Sequence, residues 1–368
     1  MRTSRARDVF EHTIRVYMER TNSMKRLQTF KLLSLTALAT IASTSAPSMA
    51  QESIQIELLT PDWDRWMYTY NATPGFRPAG STFGYWTESL EDQTDNRMGQ
   101  VLFGFDTTDQ LAPGQTAGMR VTSAVVTLTQ SNEGIIYDPS VDPVESMLDP
   151  DNPDRIEDVD PGQPVELFAV DYRNGFTSTT WPEDGPFGTF GGLGTRHAFA
   201  ATFREGVMSD ISNHVREGWT PTPFAVSQIA SVTPGTIIPL DSVHTFTINV
   251  EDEDIQSYLL TGLEAGELEF ALASMIQVSG PEGTFPNFYL KENALVEFGI
   301  ASAATLQLTL EEDLQSDPCD FNGDGIVGGA DLATLLGQWG SSDPQTDLDG
   351  DGIVAGSDLA ILLGCWGE

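Results

Sequence analysis

Basic residues are scarce in this chain of 368 residues, which has 18 Lys and Arg against 54 Asp and Glu and a formal net charge of −36. A surface this acidic repels a phosphate backbone, and no stripe of Lys or Arg reverses the charge locally. The composition therefore excludes nucleic acid as a partner. Apolar runs are short as well. None reaches the roughly 18 residues that a membrane-spanning helix needs, so the sequence predicts no membrane span.

Histidine and cysteine are also rare. After residue 50 there are three histidines, His197, His214 and His244, and their separation predicts neither a local zinc site nor a nucleophile motif. The serines lack a G-x-S-x-G elbow, and no glycine loop is typical of phosphate binding. The two cysteines, Cys319 and Cys365, both lie in the last fifty residues.

The first fifty residues have the pattern of an export signal. A basic segment from Met24 precedes the apolar run 32–42, and Ser48 and Ala50 place small residues where signal peptidase cleaves. We therefore expect a signal peptide over 1–50, with Met24 as an alternative start, and a protein that is secreted or displayed at a bacterial cell surface. In such an oxidising compartment two cysteines more often pair than stay free, although two unpaired thiols are the alternative.

The end of the chain contains an internal repeat. Residues 319–340 recur 27 residues later as 346–367, and fifteen of the 22 aligned positions are identical. Each copy opens with the spacing of a calcium loop, in which about six to eight oxygens surround the ion and a glycine at position 6 allows a sharp bend. The predicted ligands of the first loop are Asp320, Asn322, Asp324, Ile326 and Asp331. Those of the second loop are Asp347, Asp349, Asp351, Ile353 and Asp358.

The two loops differ in charge and are each followed by an apolar stripe. Four carboxylates in the second loop against three in the first predict tighter calcium binding at the second. After each loop, apolar residues recur at i, i+3, i+4 and i+7, which predicts one helix with a buried face. The stripes are Leu332, Leu335, Leu336 and Trp339, then Leu359, Leu362, Leu363 and Trp366.

A loop followed by a single helix, repeated twice over 317–368, resembles a type I dockerin. The resemblance implies a small α domain over 316–368, made of two F-hand units that fold around two Ca2+ ions and plug into a cohesin-like scaffold protein. Loop positions 10 and 11 contribute to the choice of partner in dockerins, and here they are not a hydroxyl pair in both copies. The identity of the partner therefore stays open. A disulfide between Cys319 and Cys365 would join the two ends of this module.

Residues 51–315 predict one mostly β domain. Short runs rich in β-branched and aromatic residues alternate with Gly and Pro turns, which favours a β-sandwich or jelly roll. The predicted strands are 53–60, 100–106, 121–130, 165–172, 224–231, 243–250, 268–278 and 303–310. Helices are predicted over 204–217 and 254–260. The stretch 137–162 has nine acidic residues and five prolines and predicts a solvated insertion loop. Calcium binding there is the alternative, although its acids lack the fixed spacing of a calcium loop.

Part of this domain has a second family resemblance. The sequence Asp95-Asn96-Arg97, the aromatic strand 101–106 and the strand 122–128 together resemble the opening of DNRLRE-type β-sandwich modules. The resemblance covers 95–128 and implies a secreted, non-catalytic domain of the carbohydrate-binding kind.

An aromatic cluster between residues 63 and 86 is the candidate contact for a sugar ring, and the alternative is that it fills the core. Its members are Trp63, Trp66, Tyr68, Tyr70, Phe76, Phe83, Tyr85 and Trp86. A lyase would need a Tyr base and a cation, for which the candidates are Arg65, Tyr68, Tyr70 and Arg77. A pair of acids would suit a glycoside hydrolase, but pairs arise without selection in so acidic a chain.

The sequence favours a secreted, non-catalytic β-sandwich protein that binds carbohydrate or another surface and joins an assembly through its calcium-dependent tail. No residue is assigned a catalytic role. The alternatives are a polysaccharide-degrading enzyme, either a glycoside hydrolase or a lyase, and a structural protein of the cell surface.

Overall fold

The structure of the protein, a computed structural model, describes residues 53–86, 95–189, 193–277, 284–313, 318–322 and 326–367. The predicted signal peptide over 1–50 and its cleavage site lie outside these ranges. Within them, no helix is both long and apolar enough to cross a bilayer.

The body of the chain consists mainly of short strands. Their bounds are β1 (Ser53–Leu58), β2 (Trp63–Met67), β3 (Ala79–Ser81), β4 (Gln100–Asp106), β5 (Met119–Thr129), β6 (Val165–Tyr172), β7 (Ala198–Arg204), β8 (Val207–Asp210), β9 (Ala225–Val226), β10 (Val243–Thr247), β11 (Glu267–Ser274), β12 (Asn287–Tyr289) and β13 (Thr305–Glu312). The helices are a 3-10 turn (Val144–Met147), α1 (His214–Glu217), α2 (Glu253–Ala265), α3 (Ala294–Glu297), α4 (Gly329–Gly337) and α5 (Gly356–Gly364).

Two antiparallel sheets contain most of the strands. The first has the order β1-β13-β5-β10, and the second has the order β2-β4-β11-β6-β7-β8, with β9 also paired to β6. Strands β3 and β12 form a separate two-stranded sheet. The body is therefore mostly β, as the sequence predicts, and its two large sheets share one core in the manner of a β-sandwich.

The main core lies between the two large sheets. The first sheet contributes alternate residues such as Leu306 and Leu308 of β13, and the second contributes Phe103 of β4 and Phe270 of β11. Side chains along a strand point alternately to its two faces, so each strand presents every second residue to this core. The rings of Phe103 and Phe270 lie 6.1 Å apart between their centroids.

The second sheet is covered on its other face as well. Leu102, Phe168 and Ala271 lie there in a separate apolar cluster together with Trp181. Because both faces are covered, β4 is buried at six consecutive positions and has no polar alternation.

Most of the predicted strands are present. The runs predicted at 100–106 and 165–172 coincide with β4 and β6, and five others correspond to β1, β5, β10, β11 and β13 with ends shifted by up to four residues. The run predicted at 224–231 is mostly wrong, since the strand there is limited to the two residues of β9, and Gln228 adds a single bridge to Thr245. Strand β10 has one buried face, because His244 and Phe246 are buried while Val243 and Thr247 are exposed.

One of the two predicted helices is wrong. Most of 204–217 forms the β7–β8 hairpin, whose turn contains Glu205 and Gly206 at φ values of 53° and 73°, and only α1 is helical. Gly206 adopts the positive φ of the turn without strain. The apolar residues Val207 and Met208 that follow it belong to the edge strand β8. The other predicted helix is confirmed as α2, which the Asp252 side chain caps by accepting the N–H groups of Asp254 and Ile255.

The acidic insertion is only partly solvated. Asp138, Asp142 and Val144 are buried, and the 3-10 turn packs beside Val215 and Met275. The prediction of a solvated loop is therefore wrong for residues 138–147.

Candidate functional site

The two repeated units of the tail fold alike. The residues that cap their helices, Gly328 and Ala355, have φ and ψ of −148° and −155°, and of −145° and −156°. In each unit the carboxylate of loop position 12 accepts the N–H of the cap residue: Gly328 N lies 2.8 Å from Asp331 Oδ2, and Ala355 N lies 2.7 Å from Asp358 Oδ2. The repeated sequence is therefore a repeated structure.

Both carboxylates of position 12 also reach back across their loops. Asp331 Oδ1 accepts the N–H of Asn322 at 3.2 Å, and Asp358 Oδ1 accepts the N–H of Asp349 at 3.1 Å. The backbone N–H groups of Ala355 and Asp349, which both donate to the Asp358 carboxylate, lower its pKa. Burial acts to raise the pKa of Asp331, but its backbone hydrogen bonds outweigh burial and the pKa is lowered. Each loop thus holds an ionised carboxylate where a calcium loop closes.

Three further carboxylates converge in the second loop. One oxygen each of Asp347, Asp349 and Asp351 lies within 4.8 Å of the others. Asp347 accepts the N–H groups of Gly350 and Gly352 at 3.0 and 2.8 Å, and Gly352 has φ of 91°, which provides the bend at loop position 6. Hard oxygen donors at alternate positions of a curled loop fit Ca2+.

The other predicted ligands are described in part. In the first loop Asp320 is half-buried and Asn322 is exposed, whereas Asp324 lies outside the described residues. Ile326 and Ile353, which are predicted to offer backbone carbonyls, expose 63% and 56% of their surface. The expected difference in affinity between the two loops stays a prediction.

The two units pair with pseudo-twofold symmetry. Val327, at position 8 of the first loop, accepts the N–H of Gly367 at 3.0 Å, and Val354, at position 8 of the second, accepts the N–H of Gly340 at 2.8 Å. The donors are 27 residues apart, as are the acceptors, which is the period of the repeat. A disulfide between Cys319 and Cys365 joins the two ends of the module, as the sequence led us to expect.

The tail helices bury only half of each predicted stripe. Leu335 and Leu362 are fully buried, and Leu332 and Leu359 pack against them. The last two residues of each stripe are about half exposed, at 51%, 49%, 53% and 46% for Leu336, Trp339, Leu363 and Trp366. The tail therefore presents two matching apolar patches, each formed by the end of a helix and the turn that follows it.

In the body, three rings of the predicted aromatic cluster line up. We call Trp66, Tyr68 and Tyr70 the aromatic strip, whose successive ring centroids lie 4.8 and 5.4 Å apart. Exposure is greatest at Tyr70, which exposes 58% of its surface. The Arg77 guanidinium lies 5.4 Å from the Trp66 ring, and its Nε donates to Asn71 Oδ1 at 3.0 Å. Flat rings beside an amide and a guanidinium can stack on and hydrogen-bond to a sugar.

Other members of the cluster are structural. Phe83 is buried beneath the strip, Trp63 packs on the outer face of the second sheet, and Trp86 packs beside the acidic insertion. Phe76 is exposed at 74% and Tyr85 at 40%. The reading in which the cluster fills the core therefore holds for Trp63, Phe83 and Trp86, and sugar contact by the exposed rings stays a prediction.

Arg65 is not available to a lyase site. It lies on the opposite side of β2 from Trp66, buried beneath the ring of Trp181 at 4.6 Å, and donates to the carbonyl oxygens of Glu183 and Gly185. Burial lowers the pKa of Arg65 to about 10. The structure therefore does not bring the predicted constellation together.

The three histidines have separate surroundings, which agrees with the absence of a histidine motif. His214 is buried beside Arg97, and His197 contacts Phe176. His244 lies in the core between Ser227 Oγ at 2.7 Å and Gln130 Oε1 at 3.0 Å, and burial lowers its pKa to about 3.

The Asp95-Asn96-Arg97 motif forms a buried polar network. Asp95 Oδ2 lies 3.0 Å from Arg196 Nε, and Arg97 Nη1 lies 2.5 Å from Glu166 Oε2. Asn96 Oδ1 accepts a backbone N–H from α1 at 3.1 Å. These contacts tie the start of β4 to β6 and to the chain before β7, so the residues of this motif are structural.

A cavity of about 310 Å³ opens beside β6 and β11. Its lining includes Glu269, whose pKa burial raises to about 8 and whose Oε1 accepts the hydroxyl of Tyr172 at 2.6 Å. Glu267 is close enough to hydrogen-bond to Glu269. Glycosidase carboxyls stand about 5–9.5 Å apart, so this pair lacks the geometry of a glycosidase.

Asp64 belongs to a second buried acidic group, with Glu183 and Glu292. The Lys291 ammonium already pairs with two members of this group, 3.0 Å from Glu183 and 3.2 Å from Glu292. Burial, and then the Glu292 charge, raise the pKa of Asp64 to about 8 from an ordinary 3.8. We therefore assign the group to the structure of the body.

The raised pKa of Asp64 predicts how the stability of the folded protein depends on pH. The folded protein keeps a proton that the unfolded chain releases above its ordinary pKa, so this contribution to stability is lost as the pH rises towards 8. Melting temperatures of Asp64→Asn should fall less between pH 5 and pH 8.5 than those of the wild type. Exposed Asp109 offers the control, and Asp109→Asn should keep the wild-type slope. An unchanged slope in Asp64→Asn would contradict the assignment.

Comparison with known proteins adds no relative of known function. No family model matches the chain, and no curated protein matches it. Among solved structures it matches the "Unassembled KI Polyomavirus VP1 Pentamer", at 12% identity over 75% of this chain and 98% of that chain, with a TM-score of 0.19. A likeness at that TM-score supports no inference about fold or function.

Proposed function

We propose that this chain is an exported, non-catalytic β-sandwich protein that binds a glycan or another surface and is held in a larger assembly by a calcium-loaded, dockerin-like tail. The observation that carries the proposal is the pair of equivalent loop-and-helix units, whose position-12 carboxylates make the same hydrogen bonds. Two such units around calcium are the design that the dockerin resemblance implies.

The apolar patches of the tail support attachment to a partner. About half of the surface stays in water at Leu336 and Leu363, in the last turns of α4 and α5, and at Trp339 and Trp366, two residues beyond the helix ends. Large apolar side chains grouped on a small module mark an interaction surface. A cohesin-like protein is the partner that the dockerin resemblance implies.

The aromatic strip supports binding by the body. Its rings stand beside Arg77, whose guanidinium has further N–H donors besides the Nε that donates to Asn71. Tyr and Trp combine a large flat surface with a polar group, as a sugar-binding face requires.

A polysaccharide-degrading enzyme is the second candidate, and one observation favours it. Glu269 lines a cavity and its pKa of about 8 keeps it protonated at neutral pH, as a general acid must be. Its close contact with Glu267 argues against a glycosidase pair, so this candidate ranks second.

The test is a panel of polysaccharides presented to the full mature chain in calcium, with retention and the release of reducing or unsaturated ends measured together. We expect retention without product. Tyr70→Ala should weaken retention by about fivefold to tenfold, the effect of losing roughly 1–1.4 kcal/mol of stacking. Phe298→Ala is the control, since Phe298 is 69% exposed outside the strip.

Two outcomes would overturn the leading proposal. Product that disappears in Glu269→Gln would establish the enzyme. Neither retention nor product would leave a structural protein of the cell surface.

A further inference from the structure

The acidic insertion between β5 and β6 closes on itself through its own carboxylates. Ser140 Oγ lies 2.6 Å from Asp138 Oδ1, near the start of the insertion, and 2.9 Å from Asp160 Oδ2, near its end. Gly162 makes the approach possible, because a Cβ there would lie 2.9 Å from the Asp138 Cβ. The two ends of the insertion therefore meet at a small group of acids.

Three carboxylates converge at that point. One oxygen each of Asp138, Asp142 and Asp160 lies within 4.8 Å of the others. Asp138 and Asp142 are 3% and 7% exposed, and the Oδ2 atoms of both are shielded from solvent without a hydrogen-bond donor. A buried carboxylate oxygen without a donor is costly unless a cation meets it.

Within the part of the chain that the structure describes, no lysine or arginine pairs with these acids. Buried Asp95 and Glu166 each pair with an arginine, but none of the ion pairs found in the described ranges involves Asp138, Asp142 or Asp160. The carboxylates of Asp138, Asp142 and Asp160 therefore repel one another at a site that is mostly shielded from water. A bound metal ion would relieve this repulsion.

We propose that Asp138, Asp142 and Asp160 bind one divalent cation, best matched by Ca2+, which joins the two ends of the acidic insertion. Three carboxylates offer up to about six hard oxygen ligands, close to the six to eight that calcium takes. This site is independent of the tail, since its ligands come from the body and lack the spacing of a twelve-residue loop.

Hydrogen exchange on the full chain, followed by mass spectrometry with calcium and with chelator, separates this site from the tail. Peptides from 137–162 and from 318–367 report independently. We expect calcium to slow exchange in 137–162 by about a hundredfold when its free concentration is a hundred times Kd, because the insertion must release the ion before it opens.

Two variants locate the ion. Asp142→Asn should abolish the calcium response of 137–162 and leave the response of the tail peptides unchanged. Asp154→Asn changes an exposed acid of the same insertion and should leave both responses as in the wild type. A response of 137–162 that persists in Asp142→Asn, or none in the wild type, would overturn the proposal.

Melting in chelator separates a lost ligand from a folding defect. Without calcium, Asp142→Asn should melt at or above the temperature of the wild type, because the substitution removes a like charge from a crowded acidic group. A lower melting temperature in chelator would instead show that the Asp142 carboxyl supports the fold without metal, and would also overturn the proposal.

Discussion

Replacing Arg97 with methionine should lower the free energy of unfolding of the body by about 3–5 kcal/mol, the cost of leaving a buried charge without its partner. Arg97 Nη1 lies 2.5 Å from Glu166 Oε2, and both side chains are almost fully buried. Methionine keeps aliphatic volume near the Phe168 ring, so the loss reports mainly the orphaned carboxylate. A typical domain has about 5–15 kcal/mol of stability, so this single substitution removes a large share.

The chain offers a matched control for this variant. Arg120 pairs with Glu253 at 3.1 Å, but Glu253 is 80% exposed, so Arg120→Met should cost less than about 1 kcal/mol. Adding Glu166→Gln to Arg97→Met should recover part of the loss, because it neutralises the carboxylate left behind. Urea unfolding in saturating calcium, followed by far-ultraviolet circular dichroism, measures all three. Equal losses for Arg97→Met and Arg120→Met would show that burial does not set the strength of the pair.

Removing calcium should unfold the tail and leave the sheets of the body folded. Among the described residues of the tail, five are fully buried in its apolar core, which is too little to stabilise so small a module without metal. Its disulfide keeps the ends joined but supplies no ligands. Limited proteolysis in chelator should therefore cut within 318–367 and spare the strands. Cleavage throughout the two large sheets would show that calcium also supports the sandwich core.

The second tail loop provides a local test of the metal. Asp351→Asn removes one of the converging charges and should weaken one calcium site, on the order of tenfold, because affinity follows the number of charged ligands. Asp343→Asn is the matched control. Both side chains accept the N–H two residues ahead, at 2.9 Å from Ile353 and 3.1 Å from Gln345, and asparagine keeps that turn. Calorimetric titration should find the control unchanged, and equal weakening in both would contradict the ligand assignment.

The loops of the tail could be predicted from sequence because their ligands are local. Asp347, Asp349 and Asp351 lie within five residues, so the backbone that joins them nearly determines their distances. The acidic insertion is the opposite case. Asp138 and Asp160 meet only after the insertion folds back, and the orphaned oxygens exist only because the site is buried. No spacing in the sequence indicates them.

Sequence spacing also fails to show the contacts that decide two features of the body, the helix predicted over 204–217 and the role of Arg65. The apolar spacing over 204–217 suits a helix as well as a hairpin, and the turn at Glu205 and Gly206 decided between them. Arg65 and Trp66 are neighbours in β2, yet Arg65 lies under the Trp181 ring, whereas Trp66 belongs to the aromatic strip on the opposite face. Which face a strand residue shows to solvent depends on what covers that face, and neighbouring residues do not report it.

By itself, the sequence determined the mostly β character of the body and the repeated loop-and-helix tail, because periodicity, turn residues and short-range spacing act over a few residues. It favoured pairing of the two cysteines but left unpaired thiols open. The tertiary structure alone decided which polar residues became buried partners, which aromatic rings stayed in water and which distant acids came together. Burial and charge pairing arise between segments far apart in the chain, so they are properties of the packed layers.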